Sequence, residues 1–331
     1  MKEQHLTDTF GRKHDYLRIS LTEKCNLRCT YCMPAEGIQL RDKSIFMQSD
    51  EVIAIAKEFV ALGIKKIRLT GGEPLVKKGI EKVLNELGKL PVELSLTTNA
   101  ILVDKYIDAI QNAGITSINV SLDSLKQNRN IAISRRDYHH RVLSNIQLLL
   151  DRNFTVKVNV VLMRGVNDDE IIDFIEWSRK EKVEIRFIEF MPFDGNNWNK
   201  EQTVSYQEIL NRAISQYGDK EIEKIQDEPN DTTRHFKVAG AKGTFGIIST
   251  VTNPFCDTCN RLRLTADGKI KNCLFSNDEV DLLSAHRNNE PLADLIQSSI
   301  LAKKKGLGGM KDFSQKELNS YENRSMIAIG G

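Results

Sequence analysis

At 331 residues, with 40% hydrophobic and 28% charged side chains, the chain has an ordinary globular composition and is long enough for one large domain plus a smaller one. A net charge of +2 gives no global attraction to nucleic acid or to an anionic membrane, so an anionic ligand has to be met by a local cluster of Lys and Arg. No apolar run approaches the ~20 residues of a bilayer span, and the start, Met1-Lys2-Glu3-Gln4-His5, lacks the apolar core of a signal peptide; the expected compartment is the cytoplasm.

The first two thirds alternate between strand-like and helix-like segments. β-rich runs are expected at Tyr16 to Thr22, Lys65 to Gly72, Glu93 to Asn99, Ser117 to Asp123, Thr155 to Met163 and Val183 to Phe193. Between the first two, Val52, Ile55, Ala56, Phe59 and Val60 share one face of a helix over Ser49 to Leu62, capped by Ser49 or Asp50 and closed by Gly63. Helices also fit Asp104 to Ala113, ending at Gly114, and Asp168 to Lys180, which starts acidic and ends basic as the helix dipole prefers. His139-His140 reads as a solvated helix start. After Phe193 the character changes. Ser205 to Glu208 has capping-box spacing for a helix to about Tyr217, and residues 236–275 look β-rich, with Ala266-Asp267-Gly268 turning between Arg261–Thr265 and Lys269–Cys273. A last helix is expected near Pro291 to Lys304, with Lys303, Lys304 and Lys305 as its solvated terminus. The expected domains are 1–193 and 194–331, the second packing on the first.

Strands separated by helices imply parallel pairing through right-handed crossovers. Alternation then sorts each strand into two faces. Arg18, Ser20 and Thr22 oppose Leu17, Ile19 and Leu21; Arg68, Thr70 and Gly72 oppose Ile67 and Leu69; Ser95, Thr97 and Asn99 oppose Leu94 and Leu96. Asn119, Ser121 and Asp123 oppose Ile118, Val120 and Leu122, while Lys157 and Asn159 oppose Val156, Val158 and Val160. Helices have to cover the apolar faces, so the polar faces look into the barrel. A closed eight-stranded barrel fills that space with branched apolar residues, and unpaired charges there are costly. The fold expectation is therefore α/β: an open (βα)6 partial barrel of the TIM type, with a wet, ligand-filled interior, and a smaller β-rich C-terminal region.

The six cysteines fall in two groups of three, between positions 25 and 32 and between 256 and 273. Such clustering in a reducing compartment favours metal or cluster ligation over disulfides. Cys25, Cys29 and Cys32 have Cys-x3-Cys-x2-Cys spacing on the loop after the first strand, with no fourth Cys or His nearby. Three thiolates on a [4Fe–4S] cube leave one iron open, whereas four would close it for electron transfer alone. This resembles the radical S-adenosylmethionine (SAM) superfamily, in which the open iron chelates SAM and one electron releases a 5′-deoxyadenosyl radical. Gly71-Gly72-Glu73-Pro74 reads as a turn by itself; beside the triad the resemblance makes it the holder of the methionyl amino group, through a carbonyl or carboxylate. For Cys256, Cys259 and Cys273, spacing alone leaves a second cluster and a zinc knuckle open, the latter completed by His286 or His235.

The segments Gly11-Arg12, Tyr16 to Thr22 and Cys25 to Pro34 are similar to the N-terminal signature of the GTP 3′,8-cyclase family of molybdenum cofactor biosynthesis. Thr70 to Leu75, Asn119 to Asp123, Arg186 to Met191, Phe255 to Leu264 and the terminal Ile329-Gly330-Gly331 continue the match over nearly the whole chain. The resemblance implies two [4Fe–4S] clusters, the second with an open iron that binds guanine, and a lyase that abstracts the C3′ hydrogen of GTP to form 3′,8-cyclo-7,8-dihydro-GTP. Implied SAM contacts are Tyr31, Gly72, Ser121 and Met191. Implied GTP contacts are Arg18, Arg68, Thr97, Lys157, Arg261, Leu262 and Arg263, and Gly330 with Gly331 forms a catalytic tail. Ala100 stands where glycine is usual. Implied partners are GTP, an external one-electron donor, the synthase that makes cyclic pyranopterin monophosphate, and a second copy in a homodimer, with no nucleic acid and no membrane. A radical SAM peptide maturase, or a zinc or redox scaffold, are the alternative readings.

Overall fold

The computed structural model describes residues 6–34, 36–37, 41–314, 317–318 and 323–330. Six parallel strands run in chain order: β1 (Tyr16–Ser20), β2 (Lys66–Thr70), β3 (Glu93–Thr98), β4 (Ser117–Ser121), β5 (Thr155–Leu162) and β6 (Val183–Glu189). Between them lie α1 (Ser49–Ala61), α2 (Ile80–Leu87), α3 (Val103–Asn112), α4 (Gln127–Ser134), α5 (His139–Asp151) and α6 (Ile171–Lys180). The expected strands are all present, each trimmed at its C-terminal end where the chain leaves the sheet to build loops.

Local chemistry sets the helix ends. The cap of α1 falls one residue before the expected Ser49, on Gln48, whose N–H donates to Glu51 at 2.7 Å. Gly63 and Gly114 close α1 and α3 with φ of +102° and +74°, a backbone region that costs glycine little. In α7 (Tyr206–Tyr217) the Ser205 hydroxyl and Glu208 carboxylate cap each other's backbone as the spacing predicts. His139 is a correction: it opens α5 but is buried, and only His140 faces solvent.

One apolar layer joins helices to sheet. Leu17, Ile19, Ile67, Leu69, Leu94, Leu96, Ile118, Val120, Val156, Val158 and Val160 pack with Val52, Ile55, Phe59 and Phe174 in a continuous core. Burying each such side chain stabilises by roughly 1.5–3 kcal/mol, and it forces the alternate polar side chains inward.

The C-terminal region does not lie over the barrel as a separate layer; its strands extend the sheet at both edges. β7 (Ile222–Lys224), β8 (Arg234–Val238) and β9 (Thr244–Ile248) attach beyond β6, with β9 parallel to it. β10 (Arg261–Leu264) lies parallel to β1, and β11 (Lys269–Lys271) and β12 (Glu279–Asp281) continue antiparallel. Among the described residues this gives one twelve-stranded sheet whose outer strands, β12 and β7, do not pair with each other. It is an open barrel. The helices α8 (Leu282–Arg287) and α9 (Leu292–Leu301) cover the β10–β12 end, and no described helix is long and apolar enough to cross a membrane.

Candidate active site between two cysteine triads

Register fixes where the two triads sit. Cys25, Cys29 and Cys32 follow β1, at the C-terminal edge of the parallel strands, beside the loops that end β2, β3 and β4. In contrast, Cys256 and Cys259 precede β10, whose Arg261 pairs with Tyr16 at the start of β1. The antiparallel return of β11 brings Cys273 back to the same end, since Lys271 pairs with Arg263. The triads therefore face each other from opposite ends of the barrel, and all six cysteines line one cavity. Between them the wall carries Arg18, Arg68, Thr97, Ser121, Asn159, Arg186 and Arg263 from the inward faces of the strands.

At the first triad the surroundings are acidic. Burial pushes the Cys25 thiol up to about 11, helped by the nearby Glu73 carboxylate, and the Cys32 thiol up to about 12, helped by Cys25 and Asp123. Cys29 is raised for the same reasons, burial first and Asp123 next. Three thiols held so far from ionisation become ligands only when a cation replaces their protons. Asp123 is raised to about 6 by burial although it accepts from Val161 N–H (2.9 Å) and the Tyr31 hydroxyl (2.8 Å). Buried carboxylates without a cationic partner suit a positively charged ligand such as SAM. Tyr31, Gly72, Ser121 and Met191, the expected SAM contacts, all line this cavity.

The Gly-Gly-Glu-Pro turn works differently from the carboxylate version of the expectation. Glu73 is fully buried and accepts from Leu75 N–H (3.0 Å), the Thr98 hydroxyl (2.7 Å) and Asn99 N–H (2.7 Å). Its side chain pins the β2 and β3 loops together, and the glycine backbone is what lines the cavity. A Cβ on Gly72 would come within 2.5 Å of the Lys24 carbonyl, so only glycine lets this turn pack against the cysteine loop.

The other end is cationic. Arg68 is lowered to about 10 and Arg263 to about 9, in each case by burial first; Arg18 and Arg186 add repulsion at Arg68, and Arg18 and Arg261 at Arg263. Glu184 sits among them: burial raises it, but His235, Arg186 and Lys157 outweigh this and hold it at about 2. Such an excess of buried positive charge is unfavourable until an anion enters. Arg18 Nε and Asn159 Oδ1 are buried without a hydrogen-bond partner, as expected of a wall that awaits a polar ligand. Lys157 stands just behind that wall, its Nζ 3.9 Å from Glu184. Leu262 turns its side chain into the apolar core, leaving its backbone as the part available to a ligand.

Around the second triad His235 is committed elsewhere, to Glu184 (3.1 Å) and Asp227 (3.2 Å). Neither His235 nor His286 lines the cavity with the cysteines, so the zinc knuckle lacks its expected fourth ligand. Cys256, Cys259 and Cys273 thus form a three-thiolate set on an otherwise cationic wall. Burial raises Cys259, but Arg261 and Lys303 overcome it and bring the thiol down to about 6. Lys303 is a correction: instead of ending α9 in solvent it is 3% exposed. Gly330 packs against residues of the cavity wall: its carbonyl accepts from Arg263 at 2.8 Å, and an added Cβ would strike Ser20 and Thr70. Gly331 lies outside the described residues.

Sequence reasoning passed over Arg186 and Glu184, although alternation along Val183–Glu189 puts both on the inward face. It also passed over Glu189, fully buried, which accepts from Val251 and Thr252 N–H and so positions the loop leading to Cys256.

A radical SAM superfamily model matches residues 19–178, and a model described as Molybdenum Cofactor Synthesis C matches 183–308. The chain is 46% identical over 310 residues to Molybdenum cofactor biosynthesis protein 1 of Drosophila melanogaster, covering 92% of this chain but 54% of that protein. It spans about half the length of that relative. With GTP 3′,8-cyclase of Listeria monocytogenes it shares 41% identity over 337 residues, covering 99% of this chain and 100% of the relative. In three dimensions it is similar to Streptococcus suis SuiB bound to S-adenosylmethionine, with a TM-score of 0.67 over 96% of this chain and 72% of the other; at 14% identity that likeness concerns the fold alone. With its two cysteine triads on one cavity and a relative matched end to end, the chain belongs to the GTP 3′,8-cyclase family of radical SAM enzymes.

Proposed function

We propose that the chain converts GTP to 3′,8-cyclo-7,8-dihydro-GTP in the cytoplasm, the first step of molybdenum cofactor synthesis. The observation that carries this reading is the polarity of the cavity that both triads share. Its acidic end holds Cys25, Cys29, Cys32 and Asp123, and its cationic end holds Cys256, Cys259, Cys273 and the arginines. A sulfonium with an ammonium is attracted to the first end, and a triphosphate to the second.

In this reading Cys25, Cys29 and Cys32 hold one [4Fe–4S] cluster and Cys256, Cys259 and Cys273 the other. Bound there with SAM, the first group would supply radical chemistry at C3′ of the ribose, and the second would present a site to the guanine. The chain's own residues then do the positioning. Arg18, Arg68, Arg186, Arg261 and Arg263 neutralise the phosphates, with Lys157 behind them; guanidinium forks bind phosphate oxygens bidentately. Thr97 and Ser121 offer hydroxyls between the two ends. Asp123 holds Tyr31 by its hydroxyl, which fixes that ring beside the first triad. Arg263 anchors Gly330 through its carbonyl, which ties the tail to the cationic wall. An external donor supplies the electron, and a synthase consumes the product.

A peptide maturase is disfavoured by the cationic wall and by the three cysteines of the C-terminal region. The test is anaerobic reconstitution with iron and sulfide followed by incubation with SAM, reductant and GTP. About eight irons per chain and a cyclised nucleotide support the reading; full iron loading without nucleotide product sinks it.

A further inference from the structure

The segment that follows α9 departs most from what its sequence suggests. Three consecutive lysines after a helix belong in water, yet Lys303 folds inward and donates to Cys259 Sγ at 3.4 Å and to the Arg261 carbonyl at 3.0 Å. Four residues on, Leu307 N–H donates to Cys256 Sγ at 3.4 Å. Residues 303–307 thus deliver two hydrogen bonds to two thiols of the second triad.

The strap is fastened from the far end of the sequence. Arg12 donates through one amino group to the Cys256 carbonyl (2.8 Å) and the Lys305 carbonyl (2.7 Å), and through the other to the Lys304 carbonyl (2.9 Å). Asp8, itself buried, holds the Arg12 Nε at 2.6 Å. Arg12 therefore ties the strap and the cysteine loop into one unit. An amine buried to this degree costs free energy unless an anion compensates it, and among its described hydrogen-bond partners the one that can carry a full negative charge is the Cys259 sulfur.

From this geometry we infer that Lys303 is a positioning residue for the second cluster, and that its charge sets that cluster's reduction potential. The inference rests on the two-cluster reading above. A cation and a donor at a ligating sulfur stabilise the more negative, reduced cube and raise its potential. The first triad has hydrogen-bond donors of its own, Leu27 N–H at 3.4 Å and Asn99 Nδ2 at 3.8 Å on Cys25 Sγ, but the charged side chains acting on Cys25 and Cys29, apart from the cysteines themselves, are the acids Glu73 and Asp123. The two clusters should therefore differ in potential, the second being the more easily reduced.

The experiment is an EPR-monitored redox titration of the full, anaerobically reconstituted chain, with the second cluster's wave assigned by its loss in Cys259→Ser. In Lys303→Met that wave should move to more negative potential by at least a tenfold change in the reduced-to-oxidised ratio, about 59 mV for one electron. The first cluster's wave should stay in place, and Lys303→Arg should restore most of the shift. An unmoved wave in Lys303→Met, with iron near that of the unsubstituted chain, overturns the inference. If Lys303→Met retains only about four irons, recovery of about eight in Lys303→Arg supports a charge-dependent role, and failure to recover overturns it. About four irons in the unsubstituted chain is a different failure, because it removes the second cluster itself.

Discussion

Replacing Gly72 by alanine tests how tightly the first cluster's loop is built. The new Cβ would lie 2.5 Å from the Lys24 carbonyl oxygen and 2.8 Å from that of Glu23. Both are backbone atoms, so neither can swing aside as a side-chain end would. Ordinary contact begins near 3.4 Å, so the cysteine loop or the β2 turn has to retreat by about 0.9 Å. The turn resists, because Glu73, the next residue, is pinned by three hydrogen bonds from Leu75, Thr98 and Asn99. The loop resists as well: Gly72 N–H donates to Thr22 at 2.6 Å and Glu73 N–H to Lys24 at 2.8 Å. Overpacking of this kind costs about 1–3 kcal/mol, and Cys25 lies one residue beyond the displaced carbonyl. A site held to roughly 0.5 Å does not survive a shift of that size. Gly72→Ala should therefore stay folded by circular dichroism, retain the second cluster and lose the first, with iron falling from about eight to about four and SAM cleavage abolished. Full iron with unchanged SAM cleavage would refute the claim that backbone contact at Gly72 sets the loop.

Four further outcomes follow from named contacts. Arg261→Ala or Arg263→Ala should each lower kcat/KM for GTP by about 10- to 100-fold, the worth of a charge-assisted hydrogen bond, while uncoupled SAM cleavage persists; loss of that cleavage as well would show the assignment to GTP to be wrong. Arg324→Ala removes one guanidinium nitrogen that donates to both Asp267 oxygens (2.9 and 3.0 Å) and a second that donates to Glu279, so the tail should become protease-sensitive and cyclisation should fall at least about tenfold, whereas unaltered proteolysis would show the tail to be held elsewhere. Glu73, raised to about 7 from an ordinary 4.5 by burial, binds its proton more tightly folded than unfolded; stability from this group is full below pH ~4.5 and is lost as pH rises through ~7, by about 3 kcal/mol. The gap in unfolding free energy between wild type and Glu73→Gln should shrink accordingly from pH 5 to pH 8, and a pH-independent gap would contradict the buried-carboxylate picture. Finally, Ala100 sits at φ +62° in the core, so Ala100→Gly relieves about 1 kcal/mol of backbone strain and gives up about as much methyl burial; its Tm should move by no more than a few degrees.

The barrel interior was legible because alternation is a local signal. Once helices are known to cover one face, Arg18, Arg68, Thr97, Ser121 and Asn159 have nowhere to point but inward, and all five line the cavity. Carried into the sixth strand, the same rule yields Glu184 and Arg186. Lys303 was not legible, because its burial depends on Cys259, 44 positions earlier, and on the strap that Arg12 ties from the other end of the chain. Nor did periodicity reveal that β9 and β10 would join β6 and β1 in parallel, since such pairings depend on contacts between distant segments. The carboxylate of Glu73 illustrates a third limit: a motif names the residue, but only the neighbouring Thr98 and Asn99 show that it serves the turn.

In the proposed reaction one cavity makes a radical at its acidic end and spends it on GTP at its cationic end. The most direct measurement is anaerobic single-turnover with GTP deuterated at C3′, SAM and reductant, following both nucleosides by mass spectrometry. Deuterium in the 5′-deoxyadenosine together with a cyclised nucleotide is the expected result. Deuterium-free 5′-deoxyadenosine beside intact GTP, from enzyme carrying about eight irons, would contradict it.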